Sequence, residues 1–265
     1  MITCKNYVKA ESLEQAYELN QKKSNLLIGG MLWLKMGQRN VQTVIDLSGL
    51  GLDTIEEDEE EFRIGCMATL RQIEQHEGLD SYSCGAVRES VRHIVGVQFR
   101  NVATVGGSIF GRFGFSDVLT MFLAMDSYVE LYRGGIVPLE EFAGSKRDRD
   151  ILVRLIVKKT PGSFAYQSMR NTRTDFPTLA VAVSVLNGQA AAVVGARPAR
   201  AMRISDEKKI CENVMTEETA AAFGDYVAEM VSTGSNLRGS GEYRKQLARV
   251  LVKRACMELG GKKTC

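Results

Sequence analysis

The sequence predicts an α+β protein, and three observations carry that reading. A strand, a helix and a second strand open the chain between Thr3 and Ile28 and end on a glycine pair. Short β-branched runs then recur from Val41 to Val157, with helical stretches between them. From Ser163 to Ile204 strands follow one another and two helices close the chain, the pattern of a sheet covered by helices. With 265 residues the chain can form one large domain or two ordinary ones.

Thr3 to Val8 reads as an edge strand, and Ser12 with Gln15 three residues on is a capping-box start for a helix to about Gln21. Leu26 to Ile28 is a short buried strand ending at Gly29 and Gly30, and Val41 to Leu47 is the next strand-like run. The acidic tract Glu56 to Glu61 is a solvated turn before the strand Phe62 to Cys66. Helices are expected over Leu70 to Glu77 and Ala86 to Val95, then strands over Asp126 to Tyr132, Ile136 to Pro138 and Ile151 to Val157, with a helical turn near Leu139 to Phe142. A boundary falls near Pro161. Beyond it come strands at Phe164 to Ser168, Thr178 to Leu186, Ala190 to Val194 and Ala199 to Ile204, then helices at Glu217 to Ser232 and Glu242 to Glu258. The parts are 1–160, with subdomains of about 1–55 and 56–160, and 161–265.

Composition excludes several functions. Apolar residues make up 45% and charged residues 25%, with 34 basic against 32 acidic side chains, so no charge excess points to nucleic acid or an anionic membrane. The N-terminus lacks the apolar core of a signal peptide, and no apolar run approaches the roughly 18 residues of a membrane helix, so a cytoplasmic protein is expected. Six cysteines (Cys4, Cys66, Cys84, Cys211, Cys256, Cys265) stand without ligand spacing and read as a reduced, mostly buried set rather than a disulfide frame or metal site. His76 and His93, the two histidines, have no nucleophile and carboxylate around them in any motif. No catalytic side chain and no metal ligand is assigned.

The stretch Arg100 to Asp117, RNVATVGGSIFGRFGFSD, places four glycines in nine residues ahead of the helical run that starts at Val118. Glycine allows close backbone approach and positive φ, so successive N–H groups can converge on one anion. Ser116 or Asp117 can cap the following helix, whose start favours phosphate or ribose hydroxyls. Gly-Gly pairs also occur at Gly134 and Gly260 without any site, so composition alone does not decide between a phosphate seat and an ordinary turn.

The run Arg100 to Ile109, with Ser116 and Asp117 after it, resembles the second flavin motif, R-N-x-A-T-x-G-G-N-I, of FAD-binding subunits of the xanthine dehydrogenase and carbon monoxide dehydrogenase family of molybdenum hydroxylases. Leu26 to Gly30 resembles the first, L-x-A-G-G-T-D-L, and Met169 to Pro177 resembles the Arg/Asp-bearing segment that opens the family's C-terminal flavoprotein domain. The resemblance implies a two-subdomain FAD-binding domain of PCMH type followed by an α+β C-terminal domain, with non-covalent FAD. The cofactor-contacting set it implies is Leu26, Leu27, Ile28, Gly29, Gly30, Met31, Leu32 and Trp33 from the first motif, and Thr104, Val105, Gly106, Gly107, Ser108, Ser116 and Asp117 from the second. Ile94, Leu152 and Gln167 complete it, the first two also fitting ordinary core. Met31 and Leu32 replace the usual Thr and Asp, and Gln167 a lysine, so pyrophosphate contacts at the first motif must come from backbone N–H groups. Trp33 fits either a ring cover or core packing.

In that family the flavin chain passes electrons between [2Fe-2S] clusters of a small partner subunit and an acceptor, often NAD, while substrate is hydroxylated at a molybdopterin cofactor in a large partner subunit. A flavin-less structural subunit and a stand-alone flavin oxidase are the alternatives. The seat so read predicts that Gly106→Val abolishes FAD retention and that Asp117→Ala weakens it modestly.

Overall fold

The computed structural model describes residues 2–211 and 215–261; the sixth cysteine, Cys265, lies outside them. In chain order the elements are β1 (Thr3–Lys9), α1 (Leu13–Asn20), β2 (Asn25–Ile28), β3 (Asn40–Asp46), β4 (Ile55–Glu57), β5 (Glu61–Gly65), α2 (Leu70–Gln75), α3 (Glu77–Tyr82), α4 (Ala86–Arg92), α5 (Val97–Arg100), α6 (Val105–Phe110) and α7 (Asp117–Phe122). They continue with β6 (Ser127–Leu131), β7 (Gly135–Pro138), α8 (Leu139–Gly144), β8 (Leu152–Lys158), β9 (Gly162–Arg170), β10 (Pro177–Leu186), β11 (Gln189–Gly195), β12 (Met202–Ser205), α9 (Glu217–Met230) and α10 (Gly241–Gly261). The architecture is α+β, as the strand and helix pattern requires.

Two compact units form, and neither is contiguous. The first joins Met1–Gln72, Val97–Gly111 and Ser127–Val157; the second joins Ile73–Gly96, Arg112–Asp126 and Lys158–Cys265. The helices α3, α4 and α7 therefore group with the C-terminal sheet.

The first unit holds two sheets. A parallel one runs β1-β3-β2, with β1 at its edge, and a five-stranded one runs β4-β5-β8-β6-β7. Ser12 caps α1 by accepting from the Gln15 N–H at 3.1 Å, while Gln15 Oε1 accepts from the Glu11 N–H at 2.8 Å. The acidic tract forms β4 and a hairpin turn, in which Arg63 collects Glu56, Asp58 and Glu61 at 3.3, 2.8 and 2.9 Å. That explains how six consecutive acidic residues tolerate one another at the surface.

The second unit carries the antiparallel sheet β12-β11-β10-β9. Alternate residues of β10 and β11 (Val181, Val183, Ala192, Val194) pack with Phe223, Val227, Leu251 and Val252 of the two long helices into one core. Thr216 opens α9 with a reciprocal capping box to Thr219.

The cysteines depart from expectation at one point. Cys4, Cys66, Cys211 and Cys256 are free, but Cys84 is disulfide-bonded. Burial pushes the Cys66 thiol up to about 12, so it stays protonated and unreactive at neutral pH.

Candidate FAD site

The first glycine motif sits at the carboxyl end of β2 in the parallel sheet, where the strand stops pairing with β3 at Ile28 and Asp46. Carboxyl ends of parallel strands are the usual ligand edge of such sheets. The chain then turns through Gly29 to Trp33 into a short 3₁₀ turn, Leu34–Met36. Met31 has φ +56°, the left-handed region that a residue with a Cβ enters only under constraint. Around it, the N–H groups of Gly29, Gly30, Met31 and Leu32 donate to no acceptor among the described residues. Four successive amides without a protein acceptor about one left-handed residue are available to an anion.

The second motif lies directly against the first. A Cβ on Gly29 would stand 2.5 Å from the Thr104 hydroxyl oxygen. One on Gly30 would fall on the Val102 carbonyl, 2.7 Å from its carbon. Both positions are glycine because the backbone of residues 102–104 passes where a side chain would be.

The second motif itself differs from the expected open turn. Residues 105–110 are helical, with Thr104 as N-cap accepting from the Gly107 N–H at 3.2 Å. The first amides of that helix are already used: Val105 donates to Ala68 at 2.9 Å and Gly106 to Cys66 at 2.8 Å. Gly106 needs no positive φ; a Cβ there would meet the Cys66 carbonyl oxygen at 2.7 Å and the Cys66 Cβ at 2.8 Å. Gly107 is exposed, and its Cβ would meet only the Thr104 hydroxyl, at 3.2 Å. The Gly106→Val expectation is corrected accordingly: valine there collides with β5's end and disturbs the fold, whatever binds outside it. Gly107→Ala is the clean probe. Chemical denaturation is expected to place Gly107→Ala within about 1 kcal/mol of wild type and Gly106→Ala about 1–3 kcal/mol below it.

The remaining expected residues fall in known places. Leu26 and Leu27 are half-buried and Ile28 is buried. Leu152, on β8, is 5% exposed and belongs to the core of the first unit. Trp33 is not core: it is 46% exposed, its ring edge-on to Phe99 at 5.7 Å. Ser108 is half-buried and its hydroxyl donates back to the Thr104 carbonyl at 3.0 Å.

Ile94, Ser116, Asp117 and Gln167 belong to the second unit. Ile94 is half-buried just past α4. Ser116 is the N-cap of α7, accepting from the Leu119 N–H at 3.1 Å. Asp117 is buried with Tyr166 and Arg170 of β9: the tyrosine hydroxyl donates to its Oδ1, and Arg170 Nη2 donates to the same oxygen at 2.6 Å. Burial pushes the Asp117 carboxyl up, against the pull of Arg170 and the tyrosine, and burial beside that carboxyl raises Tyr166 well above its ordinary value. This triad was missed from sequence, although Arg170 stands in the segment that carries the third resemblance. Gln167 gives its amide to Glu258 Oε2 at 2.7 Å.

Both histidines stand at helix ends. His76 caps α3, accepting from the Leu79 N–H at 3.2 Å, and His93 ends α4 beside Glu89 at 3.5 Å. No group of metal-ligating side chains occurs among the described residues.

Residues 3–159 match the family described as the FAD binding domain in molybdopterin dehydrogenase. The chain belongs to that family. Residues 164–259 match the CO dehydrogenase flavoprotein C-terminal domain. Among curated proteins, the FAD-binding chain is 26% identical over 253 residues to the Escherichia coli K12 protein YgfM, covering 93% of each. It is 26% identical over 276 residues to the nicotine 6-hydroxylase medium subunit of Paenarthrobacter nicotinovorans, covering 97% of each. Quinoline 2-oxidoreductase from Pseudomonas putida 86 has the same fold, with a TM-score of 0.86 at 17% identity and 96% coverage of both chains. The chain is thus an oxidoreductase-family flavoprotein. No helix among the described residues is long and apolar enough to cross a membrane.

Proposed function

We propose that this chain is the FAD-carrying electron-transfer subunit of a molybdenum hydroxylase of xanthine dehydrogenase type. In this reading it links [2Fe-2S] clusters of a small partner subunit to an acceptor such as NAD, while a large molybdopterin subunit handles substrate in the cytoplasm. The observation that carries it is the run of four unpaired amides at Gly29 to Leu32, seated against Thr104 in a family-matched FAD-binding domain. The division of the family matches, at residues 159 and 164, supports a boundary near residue 160.

The residues fit the cofactor. A diphosphate carries two negative charges, and the amides of Gly29, Gly30, Met31 and Leu32 would hold it without any lysine, each charge-assisted bond adding roughly 1.5–3 kcal/mol. The replacement of the usual Thr and Asp by Met31 and Leu32 therefore leaves the anion seat standing. Thr104, Gly107 and Ser108 would border the same seat, and the exposed indole of Trp33 would cover a ring of the cofactor. Bound flavin supplies the redox chemistry. The chain's own part is to hold it, exclude solvent from one side and present it to partners.

Purified protein is expected to be yellow and to release FAD on denaturation, and to form a complex with an iron–sulfur chain and a molybdopterin chain. A colourless chain that fails to take up FAD at micromolar concentration, yet still assembles, would establish the flavin-less structural role instead. Oxygen uptake with an alcohol or amine by the isolated chain would mark a stand-alone oxidase.

A further inference from the structure

The second unit contains a cavity of about 360 Å³ that none of the FAD-contacting residues lines. Its walls include Phe115, Phe176, Pro177, Pro198, Asn236 and Arg238, all within that unit. We propose that it binds a neutral, planar heteroaromatic molecule that carries hydrogen-bond acceptors, as a site separate from the flavin.

The aromatic wall is fixed in orientation. Phe115 packs edge-on to Phe176 at 4.8 Å and is stacked from behind by Phe113 at 5.2 Å with an interplanar angle of 14°. It is nonetheless 39% exposed. A flat ring of one or two cycles is the shape that such a wall and volume receive.

The polar side offers donors. The turn at residues 234–239 is held by Arg244, a fully buried guanidinium that donates to the carbonyls of Gly234 and Thr178 at 2.8 Å each, to the Gly239 carbonyl and to Asn236 Oδ1 at 2.6 Å. Burying a guanidinium is costly unless its donors are met, so this rigid turn is a built feature. Asn236 Oδ1 also accepts from the Arg238 N–H at 2.9 Å, which consumes its acceptor and leaves its amide N–H groups without a partner among the described residues. Arg238 lies over Phe176 at 5.1 Å and pairs with Asp175 at 2.9 Å, yet its Nε is buried and has no hydrogen-bond partner. The polar edge of the cavity is therefore the solvent-facing Asn236 amide, beside an arginine whose charge Asp175 already neutralises. An acceptor on a neutral ring can take the Asn236 N–H groups; a carboxylate would have to face Asp175 as well.

Caffeine is a suitable probe, being flat, fused and neutral, with acceptors and no N–H or O–H donor. Saturation-transfer NMR on the full chain, with and without FAD, is expected to show saturable binding in the millimolar range in both states. Arg238→Gln and Phe115→Leu should each weaken it by about tenfold and leave flavin content unchanged. Should Arg238→Gln fold poorly in a thermal melt, Phe115→Leu, which keeps the Arg238–Asp175 pair, still decides. Absence of saturable binding, or equal affinity in wild type and Phe115→Leu, overturns the proposal. So does displacement of caffeine by FAD, which would place the cavity in the flavin site, or its exclusion on assembly with partner chains, which would make the cavity a protein contact. Binding that persists in a chain unable to hold FAD would leave this site standing while the flavin reading fell.

Discussion

Asp117→Ala is expected to lower the stability of the fold by about 3–5 kcal/mol, because it strands a largely buried guanidinium. Asp117 and Arg170 each keep only 6% of their side-chain surface exposed, and the carboxylate also receives the Tyr166 hydroxyl. Removing it leaves Arg170 bonded at Nη1 to the Asp175 carbonyl at 2.6 Å and at Nε to Ser168 Oγ at 3.3 Å, but takes away the carboxylate that its Nη2 holds. Against a total stability of about 5–15 kcal/mol, this is a large fraction. Urea denaturation monitored by circular dichroism measures it, and the double variant Asp117→Ala/Arg170→Met should recover much of the loss by removing the stranded charge. A loss under about 1 kcal/mol would show that the pair is open to solvent. The sequence assigns Asp117 a modest role in holding FAD; its buried partners also make it a fastener between α7 and β9.

The second large effect is expected at Gly30. Alanine there puts a methyl on the Val102 carbonyl, 2.7 Å from its carbon and 3.2 Å from Cγ1, so one of the two backbones has to move. Overpacking against backbone costs about 1–3 kcal/mol or more. It also pushes the unpaired amides of residues 29–32 away from the start of α6. The expected outcome is a chain with little or no FAD and a reduced melting temperature. Gly144→Ala is the control, since its Cβ would meet nothing within 4 Å and flavin content should match wild type. Retention of FAD at wild-type affinity in Gly30→Ala would mean that this approach of two loops does not shape the cofactor's seat.

Much of this could be read in the sequence because local chemistry decided it. Ser12 and Gln15 announce α1, β-branched alternation announces β10 and β11, and Gly29-Gly30 marks the end of a buried strand. The helix at 105–110 stayed hidden because two of its six residues are glycine, the poorest helix former after proline. Its first turn is held by the Cys66 and Ala68 carbonyls, which no local pattern reveals. The reason for Gly106 was hidden for the same cause: it is a packing glycine against Cys66, while Gly107 is the one that faces outward. The grouping of α3, α4 and α7 with the C-terminal sheet, and the pairing of Asp117 with Arg170, depend on contacts between distant segments that periodicity does not encode. Trp33, equally suited by sequence to core or surface, is on the surface.

The most direct test of the account is an amide NMR titration of the flavin-free chain with FAD. Hydrogen bonding to phosphate should give the N–H resonances of Gly29, Gly30, Met31 and Leu32 the largest downfield shifts in the chain, while Val105 and Gly106, already bonded to Ala68 and Cys66, move little. Bound FAD with those four resonances unmoved would contradict the proposed seat.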